Sequence, residues 1–149
     1  MISRKLSLLA IVTLFCMIFI EITQSVPYSG SVAYCDFPDP PEDVPVGRIT
    51  FANFGSTRDY GTRVYGQFNQ GFKKDANINN YEFVAETREG KINYTKEFRK
   101  SIKISSVGGT APFQIDYKGD FTIVNKIVGG KFNIIHKGVK VVSGEIKHV

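Results

Sequence analysis

The sequence predicts an all-β fold, a Greek-key-type β-sandwich or flattened barrel, and three observations carry that prediction. Short runs of alternating apolar and polar residues recur along the chain. Glycine, proline and asparagine clusters separate them. Nothing carries a helical apolar pattern longer than about two turns. The reference stretch is Gly61–Glu86, where two alternating runs, Thr62–Phe68 and Tyr81–Glu86, are joined by an Asn-rich link. Alternation sends successive side chains to opposite faces of a sheet. Tyr81, Phe83 and Ala85 therefore share one face, against Glu82, Val84 and Glu86, and the second set is expected to meet water. Val64, Gly66 and Phe68 share a face against Arg63, Tyr65 and Gln67. A glycine in mid-strand at Gly66 marks a bulge or a close backbone approach.

Residues 1–25 read as a signal peptide. Arg4 and Lys5 precede an apolar run, Leu6–Ile20, of about fifteen residues, long enough for a signal core and short for a membrane span. Thr23 and Ser25 place cleavage before Val26; an uncleaved signal anchor is the alternative. The mature chain, 26–149, has the size of one domain and is expected to be secreted. Its first strand is Ser31–Phe37. The proline-rich Pro38–Pro45 follows as a stiff connector, because proline cannot donate to a ladder. Gly47–Phe54 is the second strand, and Gly61–Glu86 supplies the third and fourth. A hairpin turn at Thr87–Lys91 leads to strands over Ile92–Phe98 and Ser101–Ser105. Gly108–Pro112 interrupts the chain. Phe113–Tyr117, Phe121–Val128, Lys131–His136 and Val139–Ile146 complete the set.

Composition narrows the function classes. The formal charge of +5 becomes +4 when Arg4, Lys5 and Glu21 leave, with basic residues scattered rather than clustered, so a nucleic-acid partner is not expected. Cys16 leaves with the leader, and Cys35 is then the one thiol, so no internal disulfide forms and stability must come from packing. Cys35 lies in the apolar run SVAYCDF and is expected to be buried as a small hydrophobe, with intermolecular pairing as the alternative. Ten of the 12 phenylalanines and all seven tyrosines lie outside the leader, with no tryptophan; they supply the core, at about 25 cal/mol per Å² buried.

Ser31–Cys35, then Gly47–Phe51, Val64–Phe68 and Tyr81–Glu86, together resemble the first four strands of the copper/zinc superoxide dismutase family. Ile127–His136 is similar to the family's strand that ends in a copper-binding histidine, and Gly138–Ile146 to its closing strand. The resemblance implies a superoxide-dismutase-like scaffold. It also implies two histidines on strand four, one residue apart, and those positions fall on Phe83 and Ala85, which have no donor atom. Of the family's ligand positions, His136 alone is matched. The substrate-guiding arginine falls on Lys140 and a disulfide cysteine on Ser143, while Cys35 does not match the partner cysteine. The region 88–112, where the family carries its metal-bearing loop, holds no histidine. A redox copper site needs several nitrogen donors around one ion, and the chain has two histidines, His136 and His148.

Three functional expectations follow. The first is a secreted, non-enzymatic binding or interaction module with no cofactor, on a scaffold whose metal ligands are mostly missing. The alternative is an extracellular carrier of lipid or small apolar ligands, which would need an apolar cavity of several hundred Å³, in the range of about 300–1,000 Å³. The third is a residual metal-binding protein using His136 with Asp116 or Asp120. A cationic group, Lys91, Lys96, Arg99, Lys100 and Lys103, is a candidate surface for an anionic or protein partner, and a solvated strand face is its simpler reading. Asn93-Tyr94-Thr95 is a glycosylation acceptor sequence. No nucleophile–base pair is readable; Asp116 and Asp120 bracket a Lys-Gly turn, which explains them.

Overall fold

The structure, a computed structural model, describes residues 31–37, 43–56, 59–118 and 123–149. The expected signal peptide, 1–25, residues 38–42 of the expected proline-rich connector and residues 119–122, Asp120 among them, lie outside the described residues. The described residues form eight strands: β1 (Val32–Phe37), β2 (Val46–Ser56), β3 (Asp59–Gln70), β4 (Tyr81–Thr87), β5 (Gly90–Asn93), β6 (Phe113–Lys118), β7 (Lys131–His136) and β8 (Val139–His148). They pair antiparallel throughout, in the order β5-β4-β7-β8-β1-β2-β3-β6. β6 pairs with β3 although the β4–β5 hairpin lies between them in the chain, so a crossover connects the two halves of the strand order. No described helix is long and apolar enough to cross a membrane.

The sheet curls into a half-barrel, and ring positions show why. Phe132 on β7 and Phe51 on β2 are three strand spacings apart in the order, roughly 14 Å on a flat sheet. Their ring centroids are 5.9 Å apart. Inward residues of both halves therefore share one core: Ala33, Cys35 and Phe37 from β1, Ile49 and Phe51 from β2, Val64 and Phe68 from β3, Phe83 and Ala85 from β4, Phe132 and Ile134 from β7. The two halves join at β8, whose Val139–Glu145 part pairs with β7 while Ile146–His148 pair with β1. At the changeover, a Cβ on Gly144 would lie 2.4 Å from Cys35 Sγ, so the thiol occupies the space that glycine leaves. Cys35 is free and buried, and burial pushes its pKa up to about 12, which makes it an unreactive core residue.

The faces assigned from alternation hold in β3 and β4. Val64 and Phe68 are buried against half-buried or exposed Arg63, Tyr65 and Gln67, and Tyr81, Phe83 and Ala85 point inward. Val84 departs from the expected wet face: it is buried between Glu82 and Glu86. Gly66 is a close approach rather than a bulge, since its added Cβ would stand 2.3 Å from the Arg48 carbonyl across the ladder.

Three expected strands are corrected. Ile92–Phe98 is strand only as far as Asn93, and Ser101–Ser105 reduces to one isolated bridge, Ile104 to Thr110. Between them lies helix α1, Thr95–Ser101. Asn93 Oδ1 accepts from Thr95 N–H at 2.9 Å and turns the chain into it, and Phe98 N–H bonds Tyr94 C=O at 3.0 Å. Thr95, Phe98 and Ile102, at helical spacing, are buried while Lys96 and Lys100 are exposed. In the expected strand Phe121–Val128, whose first two residues lie outside the described ones, Ile123–Ile127 forms helix α2 instead, with Val124 and Ile127 buried. Its β-branched residues favour strand, but packing against β2 and β4 overrides that preference. Gly129, at φ +77°, ends it in a conformation that glycine adopts without strain.

Candidate functional site

The three positions that the resemblance aligns with metal ligands lie on adjacent strands. β4 and β7 pair with Phe83 opposite Ile134, Ala85 opposite Phe132 and Tyr81 opposite His136. Phe83 and Ala85 have no exposed surface. The Phe83 ring stacks on Phe98 of α1 at 4.6 Å and 23°, and Phe98 in turn lies 5.7 Å from Phe132. α1 packs against both β4 and β6 and so lays this phenyl ring across the open side of the half-barrel. The Phe83 backbone is held as well: its N–H donates to Thr95 Oγ1 at 2.9 Å. Position 83 is thus apolar and enclosed.

His136 is in a different setting. It ends β7, stacks on Tyr81 at 4.6 Å, and its side chain is 27% exposed. Its Nε2 is 2.9 Å from Asp75 Oδ2. Asp75 also accepts from Asn80 Nδ2 at 2.7 Å and from Asn77 N–H at 3.0 Å, with Lys137 Nζ at 3.1 Å. These donors, His136 first, hold its carboxyl well below the usual carboxylate range. Of the two aspartates expected beside His136, Asp116 is not found there. Asp116 is bound by Arg63 through two bonds of 2.7 and 2.9 Å, and Asp120 lies outside the described residues. Asp75 was missed because sixty-one residues separate it from His136. The local sign was the Asp75-Ala-Asn77 spacing, which favours a side chain bonding the backbone two residues on.

This cluster ties the 71–80 loop to the β7–β8 turn, with a definite pH signature. A carboxyl whose folded pKa is depressed contributes stability above its unfolded pKa, and loses it as pH falls toward the folded value. Asp75→Asn is expected to lower the urea midpoint at neutral pH. The gap from the parent protein should narrow from about pH 4 downward. A gap that stays constant from neutral to acid pH contradicts the assignment.

The cationic group does not form a strand face. Lys91 lies on β5 and pairs with Glu86 at 2.9 Å. Arg99 is turned to the backbone, donating to the Tyr81 carbonyl from Nε at 3.1 Å and Nη2 at 2.9 Å. Lys96, Lys100 and Lys103 are exposed on α1 and just beyond it. Asn93 is exposed on β5, and its sequon partner Thr95 is buried against Phe83.

Sequence reasoning did not anticipate a surface groove of about 890 Å³ on the outer face of β1, β2, β3 and β6. It is built by register: Asp36 sits opposite Arg48 and Arg48 opposite Gln67, while Thr50, Tyr65 and Gln114 form the next row. Arg48 grips Asp36 with bonds of 2.5 and 2.9 Å and lies over the Tyr34 ring at 4.9 Å. Gly66 and Gly47 let the strands approach beneath these side chains. A smaller groove of about 290 Å³ lies between the β4–β5 turn and α2.

No protein-family model matches the chain, and a search of curated proteins returns no match. The fold and these surfaces define it as an all-β protein with an eight-stranded, half-barrel antiparallel sheet.

Proposed function

We propose that this protein is a secreted, non-enzymatic binding module on a superoxide-dismutase-like scaffold that lacks the family's metal centre. One observation carries the reading: the positions aligned with the paired copper ligands hold Phe83 and Ala85, both fully buried, with Phe83 stacked on Phe98. A phenyl ring and a methyl group offer a metal no donor. The matched histidine, His136, is engaged with Asp75 and the Tyr81 ring instead. On this reading the chain keeps the sheet and presents its outer surfaces to an extracellular partner.

The test is metal content and turnover of the purified mature protein, begun at Val26 as its N-terminal sequence is expected to read. Sub-stoichiometric copper and zinc after loading, with no superoxide turnover above buffer, is the expected result. Stoichiometric copper with turnover overturns the proposal.

A further inference from the structure

We infer that the outer groove on β1, β2, β3 and β6 is a binding site for a neutral carbohydrate chain. This rests on the reading of the protein as an extracellular binding module and names the ligand class of that module. The groove's volume, about 890 Å³, is in the range of ligand sites. Its chemistry selects the ligand. Tyr65, 41% exposed, is the large aromatic side chain left open among the described residues, and it stands at mid-groove between Thr50 and Gln114. An open ring is a platform for the apolar face of a sugar and its hydroxyl is a polar handle. Around it stand planar groups that bond pairs of hydroxyls: the amides of Gln114 and Asn69, both exposed, and the Arg48–Asp36 pair. Gln67 Nε2 bonds the Thr110 carbonyl at 3.3 Å, which fixes the amide.

Charge separates this ligand from a polyanion. The chain is +5 overall, yet the groove lining holds one acid and one base, Asp36 and Arg48, bound to each other. The groove therefore offers no net attraction to sulfate or phosphate; beside apolar lining from Val46 and Pro112, its open polar groups are neutral hydrogen-bonding ones. A peptide is disfavoured for another reason. The groove lies on a sheet face, where the backbone groups of β2 and β3 are spent on their neighbours, so a peptide lying over those strands gains no ladder bonds. Asn93, the sequon asparagine, lies on β5 and is not among the residues that line the groove.

The experiment is calorimetric titration of the mature protein with cellohexaose, chitohexaose and mannohexaose, beside a heparin hexasaccharide and a mixture of unstructured peptides. Saturable binding of at least one neutral hexasaccharide, unchanged by added salt, is expected. Tyr65→Ala should weaken it by about tenfold or more, and Gln114→Ala by a smaller factor, with Tyr65→Phe close to the parent. Both positions are outward-facing, and an unaltered circular dichroism melt checks each variant. Binding of heparin or peptides alone, no binding of any neutral probe, or neutral binding indifferent to both alanine variants overturns the assignment. Such a failure with the metal-free result intact removes the groove's ligand and leaves the scaffold reading standing; copper-dependent turnover removes the scaffold reading itself.

Discussion

Phe132→Ala is expected to destabilise the protein by about 3–5 kcal/mol, the usual range for truncating a buried phenylalanine. Phe132 is the ring on which the two halves of the sheet meet. From β7 it lies 6.2 Å from Phe37 on β1, 5.9 Å from Phe51 on β2, 5.9 Å from Tyr94 and 5.7 Å from Phe98 on α1. None of its surface is exposed. Deletion leaves a cavity bordered by elements that cannot all move inward, because β7 is paired on both sides and α1 is anchored through Thr95 and Arg99. Against a total stability of about 5–15 kcal/mol, such a loss removes much of the margin. Urea denaturation is the measurement. A fall in midpoint equivalent to less than about 1 kcal/mol would mean that Phe132 does not join the halves.

Gly66→Ala should be the second largest effect, of about 1–3 kcal/mol or more, through overpacking rather than a cavity. The added methyl would meet the Arg48 carbonyl at 2.3 Å and Ile49 Cα at 3.1 Å. Both are backbone atoms of β2, so no rotamer change relieves the contact. β2 and β3 must separate at one of the longest ladders of the sheet, which runs from Val46–Gln70 to Ser56–Asp59. The groove above them would lose its floor, so a carbohydrate titration of this variant should also weaken. The denaturation midpoint checks the first effect, and a variant as stable as the parent would show that the strands have room to part.

The legibility of the chain followed the range of the forces involved. Lys131–His136 was bounded to the residue from alternation between glycines, as β7 is. The inward set Val64 and Phe68, the inward set Tyr81, Phe83 and Ala85, and the burial of Cys35 were likewise readable. The period of two is a local property of extended backbone, and burial of one face enforces it. Ile92–Phe98 misled because Ile92, Tyr94 and Phe98 also fit an alternating pattern. The competing helical set, Thr95, Phe98 and Ile102, spans barely two turns and depends on one Asn93 side-chain bond. α2 carried the opposite propensity and forms because Val124 and Ile127 find the core.

The sequence by itself determined an all-β architecture, the sides that its strands present, and the absence of donor atoms at Phe83 and Ala85, since residue type and alternation are written locally. The tertiary structure alone decided that His136 meets Asp75 rather than Asp116, that α1 lies across Phe83, and that four strands assemble a groove around Tyr65. Each of these joins residues far apart along the chain. Their meeting depends on sheet order, register and curl, and these emerge only when the whole core packs at once.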